Sequence, residues 1–138
     1  MLPTNIIATA EAENNGELYT INLNVNGHSL IADELTEKGG LDLGPAPGDY
    51  ICMSLASCTV ITLRMYANRK GWNLQKIHAK VNLVSGKALP SGNNTFYVEL
   101  SFSGDLTDEQ RRRLMEIADV CPVHKLLKKP NDIITMLA

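Results

Sequence analysis

The stretch Asp49–Lys70, DYICMSLASCTVITLRMYANRK, decides the fold. It is the longest apolar run in the chain, and from Ile51 to Ala67 only Arg64 is charged. Pro45 and Pro47 open it and Gly71 closes it, the start-and-stop asymmetry of a helix. Apolar or small residues fall on every face, so this helix is expected to be buried nearly all round. Cys58 sits near its middle, with Ser57, Thr59 and Thr62 beside it. Only one other stretch is as pointed: Cys121-Pro122-Val123-His124. The fold is expected to bring Cys58 and Cys121 together.

Upstream of the helix the chain alternates. Ile6–Ala12 is a possible first strand, and Asn14-Asn15-Gly16 signals a turn. Leu18–Val25 puts Tyr19, Ile21, Leu23 and Val25 on one face, the period of a half-buried strand. Asn26-Gly27 is a two-residue hairpin turn, and His28–Asp33 returns. Glu34–Gly48, with Gly39-Gly40, Gly44, Pro45, Pro47 and Gly48, is a long loop of the kind that often serves function. Downstream, Ile77–Val84 and Thr95–Phe102 alternate as strands around the turn-rich Ser85–Asn94. Thr107 with Gln110 three residues on is a capping box that starts an amphipathic helix reaching about Val120. Cys121-Pro122 breaks it, a short helix resumes at Pro122 and runs to Lys128-Lys129, and Ile133–Met136 reads as a last strand.

Strands in runs, with helices segregated from them, predict an α+β fold with antiparallel sheet in one domain, residues 1–138. Six short strands cover a wholly buried helix poorly. A second copy of the chain is expected to cover the other side, as a homodimer.

The 138 residues are 44% hydrophobic and 20% charged, an ordinary globular composition. A formal net charge of −2 gives no footprint for nucleic acid or an anionic membrane. Arg111-Arg112-Arg113, beside Asp108 and Glu109, reads as a solvated helix face. MLPTNIIATAEAE lacks the basic and apolar regions of a signal peptide, so the expected location is cytoplasmic. The central run falls short of the ~20 residues that span a bilayer and carries Arg64, so no membrane span is expected.

Three cysteines, Cys52, Cys58 and Cys121, are too few for a disulfide scaffold, and their spacings with histidine fit no structural zinc site. Cys52 reads as a small buried hydrophobe. Cys58 differs, because the neighbouring hydroxyls could solvate a thiolate. With Pro122 as the first helical residue, Cys121 is the N-cap of the short helix. Its sulfur then faces free N–H groups and the positive end of the dipole, conditions that lower a thiol pKa. Equally, Cys121 could merely cap and pack. His124 is either a general base or positive neighbour, or an ordinary helix residue. His28 and His78 read as surface residues.

Two segments carry a family resemblance. GPAPGDYICMSLASCTVITLRMYANRKGW resembles the first signature of the OsmC/Ohr family of thiol peroxidases: Gly-Pro-x-Pro, a run of leucines and alanines, Cys-Thr, then Arg-x-Tyr-Ala. TDEQRRRLMEIADVCPVHKLL resembles its second, a helix ending in Cys-Pro-Val-His. The similarity spans about Tyr19 to Thr135. The resemblance implies an intertwined α+β homodimer with sheet wrapped around long central helices and active sites at the interface. It implies a peroxidatic Cys58 and a resolving Cys121, with no metal, haem or other cofactor. Small-molecule organic hydroperoxides would be reduced through a Cys58 sulfenic acid and a Cys58–Cys121 disulfide, which an external dithiol then reduces. Two positions depart from the family pattern: Gly48 stands where the family has a glutamate, with Asp49 next to it, and no arginine precedes Arg64. A competing expectation is therefore a non-catalytic module that binds a small apolar ligand at the interface.

Overall fold

Asn26 and Gly27 take φ of 49° and 80°, the left-handed pair that a two-residue hairpin demands. Around them the first strands pair. In the computed structural model, which describes residues 5–138, β1 (Glu11–Glu13), β2 (Ile21–Val25) and β3 (His28–Ala32) form an antiparallel sheet in the order β1-β2-β3. Residues 1–4, part of the stretch read for a signal peptide, lie outside the described residues. Ile21, Leu23 and Val25 are half-buried and Asn22 and Asn24 exposed, as the alternation predicts, but the strand starts later than expected: Leu18–Thr20 lies outside it and Tyr19 is exposed. The first strand is shorter than expected: Ile6–Ala10 forms none, and Ile6 and Ile7 are exposed.

The loop after β3 is organised by Asp33, which is 2% exposed. Its carboxylate accepts from the Thr20 hydroxyl at 2.9 Å, the Glu34 N–H at 2.7 Å and the Leu43 N–H at 3.3 Å. Its own N–H donates to the Pro45 carbonyl at 3.1 Å. Gly40 and Gly44 are needed because a Cβ there would lie 2.1 Å from the Glu34 oxygen and 2.4 Å from the Ile31 oxygen. Burial opposes ionisation of Asp33, but the donated hydrogen bonds win, and its pKa is lowered. A folded-state pKa below the unfolded one stabilises the protein above pH ~4, and that contribution is lost as pH falls through the folded value. Asp33→Asn is therefore expected to lower Tm at neutral pH and to flatten the acid limb of Tm against pH. An acid limb as steep as that of the parent protein would contradict it.

The helix α1 runs over Pro47–Lys70, 24 residues. It ends as its sequence asks: Gly71 has φ 68°, its N–H reaches the Asn68 carbonyl at 3.2 Å, and the Trp72 N–H reaches Ala67 at 2.9 Å. Among the described residues it is the one helix with the length and apolar composition to cross a membrane, a test that a core helix also passes. Its buried residues, Leu55, Thr59, Leu63 and Ala67, recur every fourth position and form a single stripe. Burial nearly all round is thus not achieved within one chain. Met53, Ile61 and Met65 are 42%, 57% and 62% exposed.

Strands β4 (Asn73–Val84) and β5 (Thr95–Asp105) form a second, two-stranded antiparallel sheet. Phe96, Val98, Leu100 and Phe102 share its half-buried face with Ile77, Ala79 and Val81, while Leu83 is exposed. A bulge at Gln75 shifts the register between Leu74 and Lys76. The helix α2 (Asp108–Ala118) carries the complete Thr107–Gln110 capping box. Leu63, Ala67, Leu74, Leu114, Ile117 and Ala118 make the core, edged by Tyr66, Trp72 and Phe102. The arginine run is not simply a solvated face. Arg112 is exposed, but Arg111 donates to the Phe102 carbonyl at 3.3 Å, and Arg113 donates to the Tyr66 hydroxyl at 3.2 Å.

The helix α3 (Pro122–Lys128) follows. The expected strand Ile133–Met136 is absent: the segment has no regular secondary structure, with Ile133 91% and Ile134 81% exposed. A strand needs an edge to pair with, and no described strand pairs with this one. The α+β class with antiparallel sheets holds, with the strands in two sheets. The chain divides into two compact units, Met1–Ile51 and Cys52–Ala138, and the cysteines lie in the second.

Candidate active site

Pro122 is the first residue of α3 and Cys121 is its N-cap. Proline suits that position because its missing N–H is one the helix would leave free. The Cys121 sulfur accepts the His124 N–H at 3.4 Å and is wholly buried. From α1, the Cys58 thiol lies near enough to Cys121 to act on its pKa. All three cysteines are reduced, Cys52 and Cys58 half-buried. The two thiols singled out in the sequence, 63 residues apart by number (121 − 58), are close enough for Cys58 to perturb Cys121.

The electrostatics differ from the expectation for Cys121. Burial pushes its pKa up, and the neighbouring Cys58 pushes it further. The N–H groups of His124 and Val123 pull it down but do not win. A capping position lowers a thiol pKa only where water also reaches the sulfur. The hydroxyls beside Cys58 are also differently employed. Ser57 donates to the Ser54 carbonyl at 3.2 Å and Thr59 to the Leu55 carbonyl at 2.8 Å, so both protons serve the helix backbone.

His124 has its Nδ1 3.8 Å from the Asp119 carboxylate, and its side chain is 25% exposed. It lines a cleft of ≈ 200 Å³ with Thr59, Phe96, Val98 and Asp119. It also lines a larger one of ≈ 650 Å³ with Leu55, Phe96, Leu127 and Lys128. His124 therefore borders space a ligand could fill. His28 and His78 are exposed, as read. Asp49 accepts the Ala46 N–H at 3.1 Å, which makes it a helix-start residue. No cluster of metal-ligating side chains occurs among the described residues.

Sequence reasoning passed over Arg64 as a mere interruption of the apolar run. Its guanidinium donates to the Leu74 carbonyl at 2.5 Å and to the Gln75 carbonyl at 2.6 Å, at the β4 bulge. The signal was present: one charge in an otherwise apolar helix needs a partner.

The OsmC-like protein family model matches residues 36–136, and the chain belongs to that family. Its fold resembles that of an osmotic stress induced and detoxification response protein from Psychrobacter arcticus 273-4, at TM-score 0.72 and 19% identity over 91% of each chain. An organic hydroperoxide resistance protein OsmC from Legionella pneumophila aligns at TM-score 0.63 and 20% identity, covering 91% of this chain and 92% of its own. The organic hydroperoxide resistance protein OhrB of Bacillus subtilis aligns at TM-score 0.60 and 18% identity, covering 89% and 91%. No curated protein shows significant sequence similarity to the chain.

Proposed function

We propose that the chain is a cysteine-based thiol peroxidase that reduces organic hydroperoxides, within a redox role in peroxide stress. The observation that carries this reading is that Cys58 on α1 is a near neighbour of the buried, helix-capping Cys121 and raises its pKa. Structural relatives named as organic hydroperoxide resistance proteins support it. In the proposed cycle the Cys58 thiolate attacks the distal peroxide oxygen, and the O–O bond breaks. The alkoxide takes a proton and leaves as alcohol, and Cys58 becomes a sulfenic acid. Cys121 attacks that sulfur, water leaves, and a disulfide forms. A dithiol supplies two electrons and two protons to restore both thiols. The raised pKa of Cys121 suits the resolving part, since a group held as thiol is a poor first nucleophile. The proposed setting is the reducing cytoplasm, where free thiols persist.

Stopped-flow measurement of Cys58 thiol loss with cumene hydroperoxide and with hydrogen peroxide tests this. The expected rate is far above that of a free thiol, and faster for the organic peroxide. A free-thiol rate for both would sink the enzyme. It would leave ahead the non-catalytic binding module, which the apolar lining Leu55, Phe96 and Leu127 favours.

The assembly proposed is a homodimer. Met53, Ile61 and Met65 are exposed on the helix that carries the packed stripe. An exposed apolar face of this kind marks an interface. Light scattering is expected to give twice the 15.1 kDa chain mass, and Tm should rise with protein concentration. A folded monomer at micromolar concentration would count against it.

A further inference from the structure

We propose that the dithiol which restores the protein attacks the Cys58 sulfur of the Cys58–Cys121 disulfide, and that Cys121 is the leaving thiolate. This rests on the peroxidase reading above and adds which sulfur is attacked. The two sulfurs differ in access. Cys121 is 0% exposed in its own chain, at the N-cap of α3, and no further subunit can uncover it. Cys58 is half-buried, and in the proposed cycle a peroxide must reach it. A reductant can therefore use the route the oxidant used. A thiolate must approach in line with the bond it breaks, from the side opposite the leaving sulfur. At Cys58 that approach comes from outside the pair. Cys121 is wholly buried with its sulfur against the His124 N–H, so no such approach is open there without displacing its neighbours.

The leaving side is prepared as well. When the bond breaks, its electron pair goes to Cys121, whose sulfur already accepts the His124 N–H at 3.4 Å at a helix N-terminus. Part of what raises the Cys121 pKa comes from Cys58, and that part ends once Cys58 is held in a mixed disulfide. Cys121 then takes a proton. The second thiol of the dithiol attacks its partner sulfur in the mixed disulfide and expels Cys58 as thiolate. The dithiol ends as a disulfide, two electrons poorer, and both cysteines are reduced.

The test uses the whole chain. The disulfide is formed with diamide, so that its formation does not depend on peroxide chemistry. A monothiol, 2-mercaptoethanol, is then added together with excess iodoacetamide, and the cysteine peptides are mapped by mass spectrometry. The expected product carries mercaptoethanol on Cys58 and carbamidomethyl on Cys121, at least tenfold over the reverse. The reverse product, or comparable amounts of both, overturns the proposal and shows that α3 opens to admit the reductant. Failure of hydroperoxide to make the disulfide that diamide makes would overturn the peroxidase reading alone, and the mapping would still decide which sulfur is attacked.

Discussion

Replacing Cys58 by serine is expected to remove peroxide turnover, a loss of ~10³-fold or more, as when a covalent nucleophile is deleted. Cys121 should remain largely unoxidised in that variant, because its proposed partner is the sulfenic acid on Cys58. Cys121→Ser should behave differently. Serine is among the best N-cap residues, so α3 should keep its start. The protein should complete one oxidation and stop at a Cys58 sulfenic acid, which dimedone traps. Cys52 should stay free in both variants. Non-reducing peptide mapping reads each outcome. Rapid oxidation of Cys121 in Cys58→Ser would exchange the two roles. Comparison of Cys121→Ala with Cys121→Ser separates the helix cap from the chemistry: only the alanine variant should also lose ~1 kcal/mol of stability.

The other large effect is on stability. Leu114 is 0% exposed and packs with Leu63, Ala67 and Ile117, where α2 meets α1. Leu114→Ala removes methylenes that the surroundings cannot replace, and such truncations cost 2–5 kcal/mol, roughly. Against the 5–15 kcal/mol, roughly, that holds a domain together, that is a large share. Urea titration should show a lower midpoint with the m-value unchanged. A midpoint shift worth less than about 1 kcal/mol would mean that this core does not hold α2 in place. Met115, the next residue, is 50% exposed, and its alanine variant serves as the control.

What the sequence made legible was what it encodes locally. Asn26-Gly27, Thr107 with Gln110, Gly71 after the helix, and Cys121 before Pro122 each carry their partner within about five residues, and each appears where read. Features that depend on distant partners were not legible. Asp33 gathers Thr20 and Leu43, 13 and 10 residues away, and nothing around it in the chain announces that. The Ser57 and Thr59 hydroxyls near Cys58 looked available because a sequence does not show that helix carbonyls three and four residues back compete for them. Ile133–Met136 has the residues of a strand but no edge among the described strands. At the site, the pair of cysteines was legible from two motifs. The upward shift of Cys121 was not, because burial is a property of the folded neighbourhood.

Arg64 solves an alignment problem. The buried stripe Leu55, Thr59, Leu63 and Ala67 sets the face that α1 presents to the core, and a directional polar contact sharpens that setting. A slip of one residue in α1 would turn Cys58 by ~100° and move it ~1.5 Å along the axis, enough to part it from Cys121. The guanidinium is a rigid fork with a fixed geometry. Clamped on the carbonyls of Leu74 and Gln75, it admits one angular setting of the helix and one height. The bulge at Gln75 presents those two oxygens as a notch. Six residues away (64 − 58), the thiol inherits that setting, as a hand on a dial inherits the position of the keyed shaft that turns it.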